Sequence, residues 1–368
     1  MTTPLTKLRE LIKETPPAGG LDAALISSVP NIIYLTGYSG FSKDEREAFL
    51  FITEKAQYIL TDGRYTQAVK TLIPDFKLIE ISGKLSATDA LKKLKKKYKI
   101  KKIGFEGHNI THLEYQKLTK TLGKLSHVDL KSLRVIKNEE EIYKIEEACK
   151  LGDKAFEYIL KKIHLGISEK EVANEIEFFI KSQGGDLSFP TIVAFGKNSA
   201  TPHHVSTTYN LQPNSIVLFD FGVKLNNYCS DMTRTIFFGK TPAEFKKMYN
   251  TVLNAQTKAI RSLTSDGGKL SLRSHDSSEV DRIARDYITS QGYETIPHSL
   301  GHGIGIEVHE TPHLSPKSKD ILKEGMVFSI EPGIYFPNFG GVRIEDLAVL
   351  ENSKLRLLTH SQKNLIEL

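Results

Sequence analysis

The chain lacks several features that would assign it to a specialised structural class. It has only two cysteines among 368 residues, Cys149 and Cys229, which excludes a disulfide framework and favours a reducing cytoplasm. It has no apolar run of about 18 residues, so no transmembrane helix and no membrane partner are expected. Its first residues are polar and include Lys7 and Arg9, unlike a secretory signal. These absences predict a soluble cytoplasmic protein.

Arginine is missing from the most basic part of the chain, the lysine-rich segment at residues 92–102. The net charge of +6 and the isoelectric point of about 8.9 agree with nucleic-acid binding in sign only. The segment has the apolar spacing of a helix with one solvated face, and no array of aromatic residues surrounds it for stacking on bases. The sequence therefore argues against nucleic acid as the partner and leaves a weak affinity as an alternative.

Length and composition predict two domains, because 368 residues with 39% hydrophobic content can form more than one sizeable core. Strand-like and helix-like segments alternate in the first half, which predicts an α/β domain. The predicted strands are residues 32–35, 48–52, 58–60, 76–81 and 103–105, and the predicted helices are residues 64–72, 86–98 and 111–122. Asn138 and Glu141 form a capping-box pattern ahead of a long amphipathic helix to about Lys162. We therefore place the domains at residues 1–135 and 136–368.

Four acidic residues and one histidine in the second half are the residues most indicative of function. Like charges crowded in a cleft raise each other's pKa and oppose burial, so four neighbouring carboxylates call for cations between them. Two divalent ions would cancel the four negative charges. The residues that we expect to form one metal site are Asp220, Asp231, His302, Glu331 and Glu345. A dinuclear metal hydrolase is therefore the first functional prediction.

The first pair of carboxylates lies on two strand-like segments, residues 216–221 and 228–238. A four-residue loop at residues 224–227, in which asparagine can adopt a positive φ, joins them as a hairpin. Pairing the strands about the centre of that loop places Asp220 directly opposite Asp231, with Cβ atoms ~5 Å apart. Two aspartates at that distance repel each other, so this arrangement also calls for a cation.

The second pair of carboxylates repeats the pattern. Residues 327–331 and 342–350 are strand-like, and the connection between them is rich in proline, glycine and asparagine. Glu331 and Glu345 are equidistant in sequence from Asn338, so a hairpin centred there opposes them as well. Two hairpins that carry acidic pairs would then face each other across one cleft.

His302 lies in a glycine-framed segment, Gly301-His-Gly-Ile-Gly305, where missing side chains let the backbone approach an ion closely. His298 precedes it by four residues, which is the spacing of the zinc-binding helix in HExxH proteases. Ser299 replaces the required glutamate and the glycines break the helix, so that alternative fails. Ligands that are rich in carboxylates and free of thiolates favour Mn²⁺, with Co²⁺ or Zn²⁺ able to substitute.

Short motifs along the chain occur in an order that points to a known family. In the second half they are Asp220-Phe-Gly, Ser230-Asp-Met-Thr-Arg-Thr235, the segment from His298 to His309, Glu331-Pro-Gly and Arg343-Ile-Glu-Asp346. Upstream lie a histidine segment from Asn198 to His203 and the motif Thr61-Asp-Gly-Arg-Tyr65. Over nearly its whole length the chain resembles the aminopeptidase P and prolidase family, with a creatinase-type N-terminal domain.

The resemblance implies a pita-bread catalytic domain of the α+β class behind the α/β N-terminal domain. It implies two divalent metal ions, and hydrolysis of the bond preceding proline in proline-containing peptides by a hydroxide that bridges the metals. Glu331 would both bind metal and take up the proton of the nucleophile. The resemblance also implies a homodimer.

Three further histidines are candidates for contact with the substrate. By resemblance, His203 reaches the substrate, although the adjacent His204 leaves open which of the two does so. His298 and His309 would stabilise the tetrahedral oxyanion, since a neutral histidine can both donate and accept a hydrogen bond. Without the resemblance, each would be interpreted as a loop histidine bonded to the backbone.

Arg343 shares a strand face with Glu345, because one residue separates them. Its guanidinium would either clamp a peptide carboxylate or offset the local acidic charge, and we place it among the substrate-binding residues. Tyr335 is a weaker candidate that would serve equally well as a packed loop aromatic. Cys229 adjoins the aspartates in sequence and is predicted to fill the core.

Two questions remain open within this interpretation. A relative without catalysis would use the same fold as a binding scaffold, although the presence of all five ligand types argues against it. Among enzymes, aminopeptidase P trims longer peptides, whereas prolidase splits dipeptides, and the sequence does not decide between them. Methionine aminopeptidase is disfavoured because an α/β domain precedes the catalytic one.

Overall fold

The computed structural model describes residues 3–15, 20–264, 276–352 and 354–368. The chain divides into two compact units between Arg134 and Val135. None of the helices in the described ranges is both long and apolar enough to cross a bilayer. Each unit has its own sheets and its own hydrophobic clusters, so each is described by itself.

The first unit is built around one six-stranded mixed sheet flanked by helices. Its helices are α1 (Pro4–Glu14), α2 (Val29–Thr36), α3 (Thr66–Leu72), α4 (Ala87–Lys97) and α5 (His112–Leu122), with a 3-10 helix at Lys131–Arg134. Its strands are β1 (Ala23–Ile26), β2 (Ala48–Thr53), β3 (Gln57–Asp62), β4 (Lys77–Ile81), β5 (Ile103–Phe105) and β6 (Leu125–His127). The strand order is β4-β3-β2-β1-β5-β6, in which β1 pairs parallel with β5 and antiparallel with β2.

The predicted strand at residues 32–35 is wrong, because these residues lie in α2. Pro30 stands in the first turn, where its fixed φ suits a helix, and Gly37 ends the helix with a φ of 76°. Most of the helix is buried, so its apolar run has no polar face to reveal a helical period. The other four predicted strands and all three predicted helices are confirmed to within a few residues, whereas α1, β1 and β6 were not predicted.

In its described residues, the second unit contains four long helices and several small sheets. Its helices are α6 (Glu139–Leu160), α7 (Glu169–Ser182), α8 (Ala243–Ser262) and α9 (Ser277–Ser290), with a 3-10 helix at Gly196–Ala200. Its strands are β7 (Asp186–Leu187), β8 (Ile192–Phe195), β9 (Ser215–Phe221), β10 (Val223–Leu225), β11 (Tyr228–Cys229), β12 (Met232–Phe238), β13 (Gly301–Gly303), β14 (Glu310–Leu314), β15 (Val327–Ile330), β16 (Gly333–Phe336), β17 (Gly340–Arg343), β18 (Asp346–Glu351) and β19 (Lys354–Leu357). The sheets have the orders β11-β10-β7, β12-β9-β8, β14-β13-β15-β18-β19 and β16-β17.

Two helix pairs cover these sheets with separate hydrophobic clusters. The helices α6 and α7 pack on the strand β9 through residues such as Ile176 and Phe219. The helices α8 and α9 pack on the strand β15 through residues such as Val252 and Phe328. The predicted capping box is confirmed at the start of α6, where Asn138 and Glu141 each accept from the other's backbone N–H.

The first acidic hairpin has a different register from the predicted one. Its loop has two residues, Asn226 and Asn227, with φ values of 49° and 72°, and asparagine adopts this left-handed region more readily than most residues. The centre of this loop lies one residue later than the predicted centre, which shifts the pairing by two positions, so Asp220 lies opposite Thr233 instead of Asp231. A shift of two preserves side-chain parity, and both aspartates still line one cavity.

The second acidic hairpin has the predicted register. The strand β16 pairs with β17 about a turn that includes Asn338, and β15 pairs with β18 in the same register. Glu331 and Glu345 lie between these two ladders, where the pairing is interrupted. Their backbone N–H groups donate elsewhere: Glu331 to the carbonyl of Leu300 at 2.7 Å, and Glu345 to that of Thr233 at 3.1 Å. The interruption turns both glutamates toward the cavity.

Candidate metal centre

One cavity of about 570 Å³ in the second unit brings together all of the residues that the sequence marked as functional. Strand ends of several sheets and the loops that follow them supply these side chains. The predicted site residues that line the cavity are His203, Asp220, Asp231, His298, His302, His309, Glu331, Arg343 and Glu345. Groups that lie up to 142 positions apart in the sequence therefore share one cleft.

The centre of the cavity has the geometry of a metal site. One ligand atom each from Asp231, His302 and Glu345 lie within 4.8 Å of one another. His302 Nε2 is also 3.3 Å from Glu331 Oε1 and 3.6 Å from Asp231 Oδ2. Histidine nitrogen and carboxylate oxygen are ligand types that divalent transition metals accept.

Two carboxylate oxygens at this centre receive no hydrogen bond from the residues that the structure describes. Asp231 Oδ1 and Glu345 Oε1 are buried and have no hydrogen-bond partner among the described residues. Leaving a charged acceptor buried and unpaired costs several kcal/mol, and native proteins rarely tolerate it. The second oxygen of Glu345 accepts from Thr233 Oγ1 at 2.7 Å, which holds the carboxylate in place. The donor set and the two orphaned oxygens therefore fit a bound cation.

The pKa values of the carboxylates also indicate a site for positive charge. Burial raises the pKa of Glu331 to about 8. Burial, followed by repulsion from the neighbouring carboxylates, raises the pKa values of Asp231 and Glu345 well above their usual range. A cation between these groups would remove the repulsion and return them to the ionised form.

Arg343 is buried and its side chain donates to several protein groups. Its guanidinium donates to Asp220 Oδ2 at 2.6 Å, to Thr233 Oγ1 at 3.0 Å and to the Tyr335 hydroxyl at 2.9 Å. The ion pair with Asp220 agrees with the second of the two roles considered for Arg343, which is to offset acidic charge. A substrate carboxylate would have to compete with these contacts, so the predicted substrate-binding role stays a prediction.

His298 takes part in a chain of hydrogen bonds that starts at Arg343. Tyr335 accepts from Arg343 through its hydroxyl, and the same hydroxyl lies 2.9 Å from His298 Nε2. His298 Nδ1 lies 2.8 Å from the carbonyl oxygen of Ser299, an arrangement that requires the Nδ1–H tautomer. Burial lowers the pKa of His298 to about 4 and burial raises that of Tyr335 to about 12, so both are neutral at pH 7.

His309 lies beside the predicted ligand His302. Their rings meet edge to face with centroids 4.3 Å apart. His309 is exposed where it lines the cavity, and desolvation followed by repulsion from His302 lowers its pKa. It is therefore a neutral histidine within reach of a molecule bound at the centre.

Glu169 fixes the loop that carries the histidine pair. Its carboxylate is fully buried and lies 2.9 Å from His204 Nε2. It also accepts from the backbone N–H of Phe195 at 2.8 Å and from both the N–H and the hydroxyl of Thr207. Because His204 is bound to Glu169, His203 is the exposed member of the pair in the cavity.

Sequence reasoning missed several contributors to this centre. Thr233, which holds Glu345, lies inside the Ser230–Thr235 motif but was given no role of its own. Glu169, which holds His204, lies in none of the motifs. The signal for Thr233 was its parity with Asp231 on the same strand, and that for Glu169 was only its place in the first turn of a capped helix. The apolar wall formed by Phe189, Ile192, Val205 and Val308 could not be found, because its members come from three segments that are distant in the sequence or lie in different elements.

Comparison with known proteins places this geometry in a family. The creatinase/prolidase N-terminal domain matches residues 4–136, and metallopeptidase family M24 matches residues 143–352. An uncharacterized peptidase of Bacillus subtilis is 39% identical over 98% of this chain and 99% of its own length.

Two solved structures are similar over almost the whole chain. An Xaa-Pro dipeptidase from Bacillus anthracis has a TM-score of 0.89 and 35% identity, covering 99% of both chains. An X-Pro aminopeptidase from Thermotoga maritima has a TM-score of 0.85 and 32% identity, covering 95% of this chain and 98% of that one. The predicted resemblance and the predicted fold class are confirmed. The chain belongs to metallopeptidase family M24, with a creatinase/prolidase N-terminal domain followed by a pita-bread catalytic domain.

Proposed function

We propose that this chain is a metal-dependent peptidase that hydrolyses the bond preceding proline, either as an Xaa-Pro dipeptidase or as an Xaa-Pro aminopeptidase. The observation that carries the proposal is the cluster of Asp231, His302 and Glu345, with two buried carboxylate oxygens to which the described part of the chain supplies no hydrogen bond. The similarity to an Xaa-Pro dipeptidase and an X-Pro aminopeptidase supports the choice of proline-containing substrates.

The proposed cofactor is a pair of divalent ions, with Mn²⁺ first and Co²⁺ or Zn²⁺ as substitutes. The residues that would hold it are Asp220, Asp231, His302, Glu331 and Glu345. When bound, such ions lower the pKa of a coordinated water and polarise a carbonyl oxygen. The ligand chemistry supports this assignment, since four carboxylates and one imidazole with no thiolate favour harder cations.

Glu331 is the proposed proton acceptor for the attacking water. Its desolvated carboxylate has a pKa of about 8, which shows how strongly this position favours the protonated form when no cation is bound. Ser329 donates from its hydroxyl to Glu331 Oε1 at 3.1 Å and so orients the carboxylate. A proton held there can pass to the leaving nitrogen, which has no hydrogen of its own in an Xaa-Pro bond.

Two histidines are the proposed donors to the substrate. His203 and His309 are both exposed side chains that line the cavity, and a neutral imidazole can donate to a carbonyl oxygen as negative charge develops on it. For His298 we propose that Nε2 gives up its hydrogen bond with the Tyr335 hydroxyl and contacts the substrate instead. If Nε2 keeps that hydrogen bond, His298 acts only by holding Tyr335 and, through it, Arg343.

The apolar wall supports a preference for substrates with apolar side chains before proline. Phe189, Ile192 and Val308 present hydrocarbon surface on the cavity that holds the proposed metal site. Burial of apolar surface contributes about 25 cal/mol per Å². An apolar residue before proline is therefore expected to lower KM relative to a charged one.

The test of the proposed function is hydrolysis of Ala-Pro and Ala-Pro-Ala by chelator-treated protein after addition of Mn²⁺, with Ala-Ala-Ala as the control peptide. We expect cleavage of one or both proline peptides, and none of the control. Cleavage of Ala-Pro alone indicates a dipeptidase, and comparable cleavage of Ala-Pro-Ala indicates an aminopeptidase. If Mn²⁺ binds and neither proline peptide is cleaved, the substrate assignment is wrong.

We also propose a cytoplasmic location, a homodimeric state and domains at residues 1–135 and 136–368. Both cysteines are buried and form no disulfide, which supports a reducing compartment. The match of the N-terminal domain to residues 4–136 supports the domain boundary. Sedimentation equilibrium of the full chain tests the dimer, which a monomer mass at micromolar concentration would contradict.

A further inference from the structure

A buried glutamine on α8 lies at the interruption in strand pairing beside the two glutamates. Gln256 is fully buried, and its Nε2 donates to the carbonyl oxygen of Ile330 at 3.0 Å and of Ile344 at 3.3 Å. Each of these carbonyls belongs to the residue immediately before a proposed ligand, Glu331 or Glu345. One side-chain amide therefore connects the two chain segments at the point where they present their carboxylates.

The sequence explains why a side chain is needed there. Ile344 lies opposite Pro332 in the antiparallel register, and its N–H donates to the Pro332 carbonyl oxygen at 3.4 Å. In a regular ladder Pro332 would return a bond to the carbonyl of Ile344, but proline has no N–H. Gln256 donates to that carbonyl instead, and the same NH₂ group reaches the adjoining strand through Ile330.

The other end of the amide fixes its orientation. Lys363 Nζ donates to Gln256 Oε1 at 3.3 Å and to Asp346 Oδ2 at 2.6 Å. An ammonium group has donors only, so the amide oxygen faces Lys363 and both hydrogens of the NH₂ group face the two carbonyls. Asp346 in turn accepts from the buried Arg234 at 2.7 Å. The Gln256 amide is therefore held in one orientation by the groups on the side away from the two carbonyls.

We propose that Gln256 is a positioning residue that fixes the distance between Glu331 and Glu345 and thereby sets the affinity of the site for divalent cations. The inference rests on the metal site of the proposed function. Gln256 is not among the described residues that line the cavity, so it acts through the backbone of two segments and touches neither substrate nor cation. Removing groups that hold metal ligands in place typically lowers metal affinity 10–100-fold.

The test is calorimetric titration of Mn²⁺ into chelator-treated full-length protein, together with thermal unfolding of the same metal-free samples. Gln256→Met keeps the length of the side chain and removes the amide. We expect this variant to raise the Kd for Mn²⁺ about tenfold or more. A Gln256→Met protein that binds Mn²⁺ with the wild-type Kd overturns the inference, whatever its Tm.

The matched control is Val252→Ala, which is buried on the same helix and has no polar group. Its cavity is expected to lower the Tm of the metal-free protein and to leave the Kd unchanged, because the two carbonyls keep their donor. Should Gln256→Met fail to fold, Gln256→Glu has the same shape without the amide donors and carries the same expectation. Wild-type protein that binds no Mn²⁺ overturns the proposed function and the inference with it, whereas a wild-type Kd in the Gln256 variants overturns the inference alone.

Discussion

Buried carboxylates occur in both units of the chain, and they differ in how the protein satisfies them. In the first unit, Glu106 is fully buried and accepts hydrogen bonds from the N–H and hydroxyl groups of Ser27 and Ser28 and from the amide of Asn31. In the second unit, Asp231 and Glu345 are also buried, yet each keeps one oxygen without a partner among the described residues.

The difference shows that the supply of donors, not burial, separates a structural carboxylate from a ligand. Five hydrogen bonds compensate Glu106 for the loss of water, and these bonds tie β5 to the start of α2. Glu345 has one side-chain donor, Thr233, and lies near other carboxylates that raise its pKa. A fold that brings carboxylates together and supplies them with few hydrogen-bond donors forms a site for a cation.

We expect the largest effect on metal binding and activity from replacing Asp231, the proposed ligand with the fewest hydrogen-bond donors. Asp231→Ala removes a proposed ligand and should abolish tight Mn²⁺ binding and reduce kcat/KM on Ala-Pro more than about 10³-fold, since the metal supplies several kcal/mol of transition-state stabilisation. Calorimetry and peptide hydrolysis measure the two losses. Retention of tight Mn²⁺ binding in this variant would exclude Asp231 as a ligand.

Amide substitution of the two glutamates should have opposite effects on the metal-free protein. Glu106→Gln turns an NH₂ group toward groups that themselves donate, so we expect a loss of about 3 kcal/mol in unfolding free energy with an unchanged Kd for Mn²⁺. Glu345→Gln removes repulsion and should stabilise the metal-free protein while it weakens Mn²⁺ binding. Urea unfolding with and without Mn²⁺ measures both. If Glu106→Gln and Glu345→Gln both destabilise the metal-free protein, the distinction between a structural carboxylate and a ligand carboxylate is wrong.

The metal-free protein should lose stability as pH rises from 7 to 9. Burial raises the pKa of Glu331 to about 8, so at pH 7 the folded state keeps a proton that the unfolded chain has lost. The unfolding free energy therefore falls as pH passes through 8, by about 1.4 kcal/mol from this group alone. Buried histidines contribute little, because above pH 7 they are mostly neutral in both states.

Thermal unfolding in chelator at a series of pH values measures this slope, and Glu331→Gln is the control that should flatten it. Saturating Mn²⁺ should also remove the slope, because the bound cation holds the carboxylate ionised. A metal-free protein whose Tm rises between pH 7 and pH 9 would show that these carboxylates are ionised without a cation.

The smallest effects are expected from single donors. Ser28→Ala removes one of several donors to Glu106 and should cost about 1 kcal/mol of stability without changing Mn²⁺ affinity. Thr233→Val keeps the shape and removes the one side-chain donor to Glu345, so we expect a similar loss of about 1 kcal/mol, seen this time in Mn²⁺ affinity. Calorimetry on the two variants side by side is the measurement. Equal Kd values would mean that Thr233 does not orient Glu345.

The sequence predicted which residues form the site better than it predicted how those residues are arranged. Strand parity depends only on a period of two, so it placed Asp220 and Asp231 on one face although the Asn226–Asn227 turn changed their register. The second hairpin was predictable in register because its turn formers lie symmetrically about Asn338. Motif resemblance supplied the histidines, which no periodicity would have identified.

What could not be predicted depends on contacts between distant segments. Nothing in the sequence pairs Gln256 with the carbonyls beside the glutamates, or Glu169 with the loop of His204, because such contacts require the finished packing of helices on sheets. The helix α2 was mistaken for a strand because its apolar run is buried on most sides. The two unpartnered oxygens are likewise visible only when every donor near them has been placed.

The spread of the proposed ligands along the chain has a mechanical consequence. They extend from Asp220 to Glu345 and lie on or beside strands of separate sheets, and the two buried cysteines form no disulfide that would join these segments. A cation held by them would bind the folded unit and not the unfolded chain, so its binding free energy would add to the stability of this unit. Metal binding then acts as a removable cross-link, and a chelator would loosen this unit as a reductant loosens a disulfide-bonded protein.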